Sequence, residues 1–380
     1  MRPCFAGQQP YVDYYPAVLA KLDALEASDR ASFYGFADYA PLGSDHWMAR
    51  TALPSVGAAG GLLTFNFHRS VRAQQGRDLR FIATPDSSVI AELAEQLKGM
   101  ITHTAKWVST DSFSKKSAFA RMRLLLNDYE EARRRADNAG EFNTLWSVRV
   151  FHRLGFRLPF VSLSELLAHD ELLPSVAATL SVFIRDNELF VESIDEALQL
   201  DDGGELNFNR KEPGHVPLAL ADSQSHVRRS LRLERSGRDY LLVSTKGTKE
   251  VFNVGSADAG TLEELLRRLS GRWSFDLFAP LFLFRLGVAG IINGRGSIRY
   301  SLVLAHVMKR LFGERHPPNL LCSCSPRLTG PFVNAVRNAY GRLPDDLQSR
   351  EPTLLSRLLS SSEETIREEI AASWRDEQQG

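Results

Sequence analysis

The sequence predicts an α/β protein built on a mostly parallel sheet, with an inserted β-rich module and a helical C-terminal tail. Three observations predict it. Over residues 1–202, short β-type runs alternate with amphipathic helical patterns, as crossover helices between parallel strands require. Residues 203–255 instead alternate polar and apolar side chains with few helix signals. From Pro331 the pattern is helical and amphipathic again. The core is therefore expected in two parts, residues 1–202 and 256–330, with the module at 203–255 and the tail at 331–380.

Composition narrows the function classes. Lys+Arg and Asp+Glu number 46 each, so no basic excess marks a polyanion binder and nucleic acid is not an expected partner. Hydrophobic residues at 43% and charged residues at 24% are those of an ordinary globular protein, and 380 residues suffice for two or three folding units. Cys4, Cys322 and Cys324 make an odd count, which argues against a disulfide framework. Cys322 and Cys324 share one face of a strand without further ligands at metal-binding spacing, so they are expected as small buried hydrophobes, and no metal site is assigned. The opening residues carry no apolar leader, and no run approaches the length of a membrane span. A cytoplasmic protein with no membrane partner is expected.

Along the chain, Gly7-Gln8-Gln9-Pro10 forms a polar turn ahead of a helix at about Tyr14 to Leu25, where Val18, Leu22 and Leu25 share a face. Gln8 and Gln9 either hydrogen-bond a ligand or face solvent. Ser32 to Ala37 reads as a strand, and Ser44-Asp45-His46 follows beyond its end, where sheets of this kind collect ligand groups. His46 transfers a proton or binds phosphate near neutral pH, with Asp45 orienting it or taking a metal; a capping aspartate beside a surface histidine is the bland alternative. Leu62 to Phe67 and Leu79 to Ala83 read as strands. A helix follows from Pro85-Asp86-Ser87 to about Trp107.

A long helix is expected from Ser114 to Ala139, stopped at Gly140, with Arg133, Arg134 and Arg135 as a solvated cationic end. Another runs from about Asn143 to Leu154, then a strand from Leu158 to Val161, then a capping box at Ser162 and Glu165. Within the module, Ser236-Gly237 turns a hairpin between Ser230 to Arg235 and Asp239 to Ser244, and its arginines read as edge protection.

Helical Thr261 to Leu269 leads to an apolar run, Leu281 to Ile292, which breaks into Gly294-Arg295-Gly296-Ser297-Ile298-Arg299-Tyr300. A buried strand, a glycine turn with φ > 0 and a helix N-terminus are expected there. Unpaired first-turn amides suit a phosphate or carboxylate. Ile298, Leu302, Ala305, Val307 and Met308 fit a helix on the sheet, stopped by Pro317-Pro318. Asn319 to Cys324 is the next strand, and Arg327 lies beyond it, placed to fork a carboxylate or phosphate or to form a surface ion pair. In the tail, Leu354, Leu355, Leu358, Leu359, Ile366 and Ile370 form either a homodimer stripe or intramolecular packing.

These stretches together resemble the cysteine-adding enzymes of bacillithiol biosynthesis, amide-forming ligases with a Rossmann-like core. Gly7-Gln8-Gln9-Pro10 is similar to the family's threonine-glycine-glutamine-glutamine turn. Ser44-Asp45-His46 stands where it carries serine-glutamate-aspartate-histidine-aspartate. Gly294 to Tyr300 resembles its glycine-proline-glycine-glutamate-isoleucine-x-tyrosine, and Pro326-Arg327 its proline-arginine after the next strand.

The resemblance implies a Rossmann-like core and a ligase joining an amino acid, cysteine in the family, to the amine of a small molecule. Forming an amide from a free carboxylate needs activation, for which ATP, with magnesium, is the expected source. Asp45, His46 and Arg327 would be catalytic. Gln8, Gln9, Ser44 and Tyr300 would bind substrate, and Gly294, Arg295, Gly296 and Ser297 a phosphate or carboxylate. The chain departs from the family at Ala6, Gly43, Trp47 and Ser297, losing acidic groups at the last three. That loss favours one alternative, a non-catalytic small-molecule or partner-binding protein that keeps the pocket; a second, a nucleotidyl transferase, would be suited by an Asp45-His46 loop on a Rossmann-like sheet.

Overall fold

The computed structural model describes residues 2–43, 47–68, 71–200, 206, 208–322, 330–341 and 354–379, leaving aside the side chains of 295, 296 and 374–379. Strand β1 (Cys4–Gln8) is followed by α1 (Pro16–Glu26), with proline in its first turn, and by β2 (Ser32–Phe36). The chain then forms a hairpin, β3 (Arg50–Pro54) with β4 (Leu62–Asn66), a short α2 (Val71–Gln74) and three longer helices. These are α3 (Ser87–Thr104), α4 (Lys115–Arg135) and α5 (Ala139–Arg153). After β5 (Phe160–Ser162) come α6 (Leu163–Ala168), α7 (Leu173–Arg185) and α8 (Asn187–Gln199).

Strands β6 (His215–Ala221), β7 (Arg228–Ser236), β8 (Asp239–Ser244) and β9 (Val251–Asn253) precede α9 (Ala259–Arg268), β10 (Trp273–Phe275) and α10 (Ala279–Arg285). Finally β11 (Gly290–Gly294), α11 (Arg295–Phe312) and β12 (Asn319–Cys322) lead to α12 (Pro331–Tyr340), α13 (Leu354–Ser360) and α14 (Glu363–Gln379).

The architecture is mixed α/β. Five strands pair in parallel in the order β12-β11-β1-β2-β5, with Phe5 opposite both Phe33 and Ile291. Alternation sorts their side chains into two cores. Cys4, Ala6, Tyr34, Phe36 and Ile292 pack with α1 on one face, while Phe5 and Ile291 pack with Val303 and Val307 of α11 on the other. Gly35 is fixed by a close approach: a Cβ there would lie 2.6 Å from Leu163 Cδ2 and 2.7 Å from Phe5 Cε2.

A second, antiparallel sheet runs β10-β6-β7-β8-β9. Four of its strands and the expected hairpin come from residues 215–253, with Gly237 turning at φ +64°. It takes its fifth strand from Trp273–Phe275, beyond residue 255, because Trp273 pairs with Leu220. Strand β7 lies between β6 and β8, so its arginines do not guard an edge.

Other expectations are corrected. Leu79 to Ala83 is not a strand: Asp78 accepts the Arg80 N–H at 3.0 Å and turns Leu79–Phe81 into one turn of 310 helix. Gly140 does not stop α4. That helix ends at Arg135, and Asn138 caps α5 by accepting the Glu141 N–H at 3.0 Å, which puts Gly140 in the first turn. Helix α11 ends at Gly313 (φ +66°), whose N–H donates to the Lys309 carbonyl, before the prolines are reached. Leu302 on that helix is exposed. The Leu281 to Ile292 run divides into α10 and β11. The tail leucines and isoleucines named above are all buried in the chain's own core, so they form no exposed dimer stripe.

Candidate functional site

The order of the parallel strands reverses at β1. Strands β2 and β5 lie on one side of it and β11 and β12 on the other, and α1 and α11 cover opposite faces. Such a reversal leaves a crevice beyond the carboxyl ends of the strands. A cleft of about 390 Å3 opens there. Gln8 and Gln9 line it from the end of β1, Ala37 and Tyr39 from beyond β2, Asn293 from β11, and Ser297 and Tyr300 from α11. The opposite wall comes from the antiparallel sheet and its exit, with Arg228, Phe275, Asp276 and Leu277.

Four side chains expected from the sequence therefore meet in one place: Gln8, Gln9, Ser297 and Tyr300. Their roles differ. Gln8 is tied at both ends, its Nε2 donating to Tyr11 Oη at 2.6 Å and Gln9 Oε1 at 2.9 Å, and its Oε1 accepting from Lys21 Nζ at 3.3 Å. Burial pushes the Tyr11 hydroxyl up to about 12, against the lowering effect of the Gln8 bond, so it stays protonated and donates to Gln9 Oε1. This leaves Gln9 Nε2 as the amide donor free of partners among the described residues. Gln8 positions it.

Gly294 is the N-cap of α11, as the strand, turn and helix pattern requires, but at φ −81° it is ordinary extended backbone. What glycine supplies is room, because a Cβ would stand 3.1 Å from Lys21 Cε. Arg295 and Gly296 open the helix, followed by Ser297. Ser44, Asp45, His46 and Arg327 lie outside the described residues, as does Cys324.

Four lining residues carry chemistry that the sequence did not reveal. Arg228 donates from Nε to Ser274 Oγ at 3.0 Å and from Nη2 to the Phe275 carbonyl at 2.6 Å, which fixes its guanidinium in the wall. Asp276 accepts the Phe278 N–H at 3.1 Å and lies 3.2 Å from His215 Nε2. Burial alone would raise its pKa, but His215, Lys211 and the Phe278 amide outweigh it and hold the carboxyl below its ordinary value. The Arg228 and Arg80 guanidinium groups each lie 5.9 Å from the Tyr39 ring centre. Burial raises the Tyr39 hydroxyl pKa, partly countered by Arg228. Asn293 donates to Asn319 Oδ1 at 2.8 Å and leaves its own Oδ1 without a bond among the described residues.

A second hollow, about 870 Å3, is lined by Asp38, Arg80, Glu141, Glu165 and Arg272, and none of the described residues expected to bind or act on a ligand lines it. Among the described residues no group of three or more His, Cys, Asp or Glu side chains is arranged to hold a metal ion, and no helix is long and apolar enough to cross a membrane. No protein-family model matches the chain, and no curated protein matches it.

Proposed function

We propose that the cleft is the substrate site of a ligase-like enzyme with a Rossmann-like core, joining an amino acid to the amine of a small molecule at the expense of ATP. The observation that carries this reading is a fixed cation and a fixed anion, Arg228 and Asp276, in the wall facing the N-terminal end of α11. A zwitterion suits such a wall, its carboxylate on the Arg228 fork and its ammonium on Asp276. Gln9 Nε2, Asn293 Oδ1, Ser297 and Tyr300 supply donors and acceptors for the remaining polar atoms. Apolar Phe5, Phe275 and Leu283 enclose a short side chain, as cysteine would present. The unpaired amides at the start of α11 suit a nucleotide phosphate, and magnesium would accompany that nucleotide.

A second reading has its own observation. The cleft's only described carboxylate, Asp276, is engaged by His215 and the Phe278 amide, so no described lining group is an unengaged general base. A protein that binds the same zwitterion without chemistry accounts for this equally well. A thermal-shift series with each amino acid, with and without ATP and magnesium, tests the first claim, and release of ADP or AMP with an amine acceptor separates the two readings. No stabilisation by any amino acid would overturn both.

A further inference from the structure

Lys21 is the anomaly of this region. It projects from α1 and is only 5% exposed, and a buried ammonium is normally paired with a carboxylate. Here Nζ donates to Gln8 Oε1 at 3.3 Å, a long bond to a neutral group, and no carboxylate lies within ion-pair distance among the described residues. Burial lowers its pKa, with Cys322 acting weakly the other way.

Its surroundings add positive potential rather than relieve it. The start of α11 has no capping side chain and no acidic residue in its first turn. The missing side chain at Gly294 lets the lysine lie against that helix start, since a Cβ there would stand 3.1 Å from Cε and 3.7 Å from Nζ. A helix N-terminus carries roughly half a positive charge, so an ammonium beside it is repelled unless an anion sits with them. Both features have the sign that an oxyanion would complete. Gln8 joins this place to the cleft, because it lines the cleft and holds Nζ.

We propose that Lys21 and the first-turn amides of α11 form an oxyanion site, taking a phosphate or carboxylate group of a ligand that enters past Gln8. The site rests on the lysine and its neighbours and needs no particular reaction in the cleft.

The test is calorimetric titration of the full chain with pyrophosphate and, separately, with citrate, at constant ionic strength and without magnesium. Wild type binds at least one of them; pyrophosphate alone identifies a phosphate site and citrate alone a carboxylate site. Lys21→Met keeps the shape and removes the charge, so affinity falls by about tenfold or more while thermal stability is kept or raised. Lys98→Met, at an exposed helical ion pair with Glu95, leaves affinity unchanged. Should Lys21→Met fail to fold, Gly294→Ala crowds the ammonium without deleting it and lowers affinity in the same way. The proposal is overturned if wild type takes neither anion at millimolar concentration, or if the folded variant binds like wild type.

Discussion

The buried carboxylate of Asp13 accepts the backbone N–H of Leu355 at 2.9 Å, across 342 positions of sequence. It also accepts the Tyr14 N–H at 2.8 Å and the Thr51 hydroxyl. One side chain thus joins the turn after β1, the β3–β4 hairpin and the C-terminal helices.

Asp13→Ala leaves those three donors without their acceptor in a dry place. A loss of about 2–4 kcal/mol is expected, read from the urea midpoint. A loss under about 1 kcal/mol would show that the tail docks by apolar packing alone.

At Gly140, helix propensity and packing disagree. Alanine in a helix is favoured over glycine by about 1 kcal/mol, but its Cβ would stand 2.8 Å from the Asp38 carbonyl. That oxygen is backbone and cannot swing aside, so Gly140→Ala is expected to destabilise by about 1–3 kcal/mol. Thermal unfolding of the variant decides it, and any gain in melting temperature refutes the clash.

His68 gives a pH signature. The ring is 3% exposed, and burial lowers its pKa from 6.5 to about 4. Between those values the unfolded chain binds the proton and the folded chain does not, so stability rises with pH across this window and is lost as pH falls through it. The change amounts to about 3 kcal/mol. Urea midpoints from pH 7 to 4 should fall more steeply for wild type than for His68→Gln; parallel curves would exclude the assignment.

Arg228→Gln and Asp276→Asn test the cleft. Each removes one charge of the wall while keeping similar bulk, and each should weaken binding of a stabilising amino acid by about tenfold or more. Asp276→Asn should hurt least for a ligand lacking the ammonium. Equal loss for amino acids and simple carboxylates would remove Asp276 from recognition.

Local pattern made some of this legible. The strand, glycine cap and helix over Gly290–Phe312 show in sequence because apolar alternation gives way to a helical period at one point, and the Ser236-Gly237 hairpin shows for a similar reason. Strand β3 was missed because Arg50 and Pro54 bound it and it pairs only within an isolated hairpin. The run at Leu79 looked like a strand until a single capping aspartate decided otherwise. Arg228 and Asp276 had no local signal at all. They share a cleft with Gln9 only because the antiparallel sheet places its β10 exit across from the end of β1, a tertiary fact that no window of sequence contains.

The pairing of Phe5 with Ile291 also has a kinetic consequence. During synthesis β1 and β2 can associate early, but the other edge of β1 waits for a partner made about three quarters of the chain later. At about 5–20 residues per second the nascent sheet stays open on that side for roughly 15 to 60 seconds. This sheet cannot close before β11 is made, and until then β1 presents an apolar, unpaired edge.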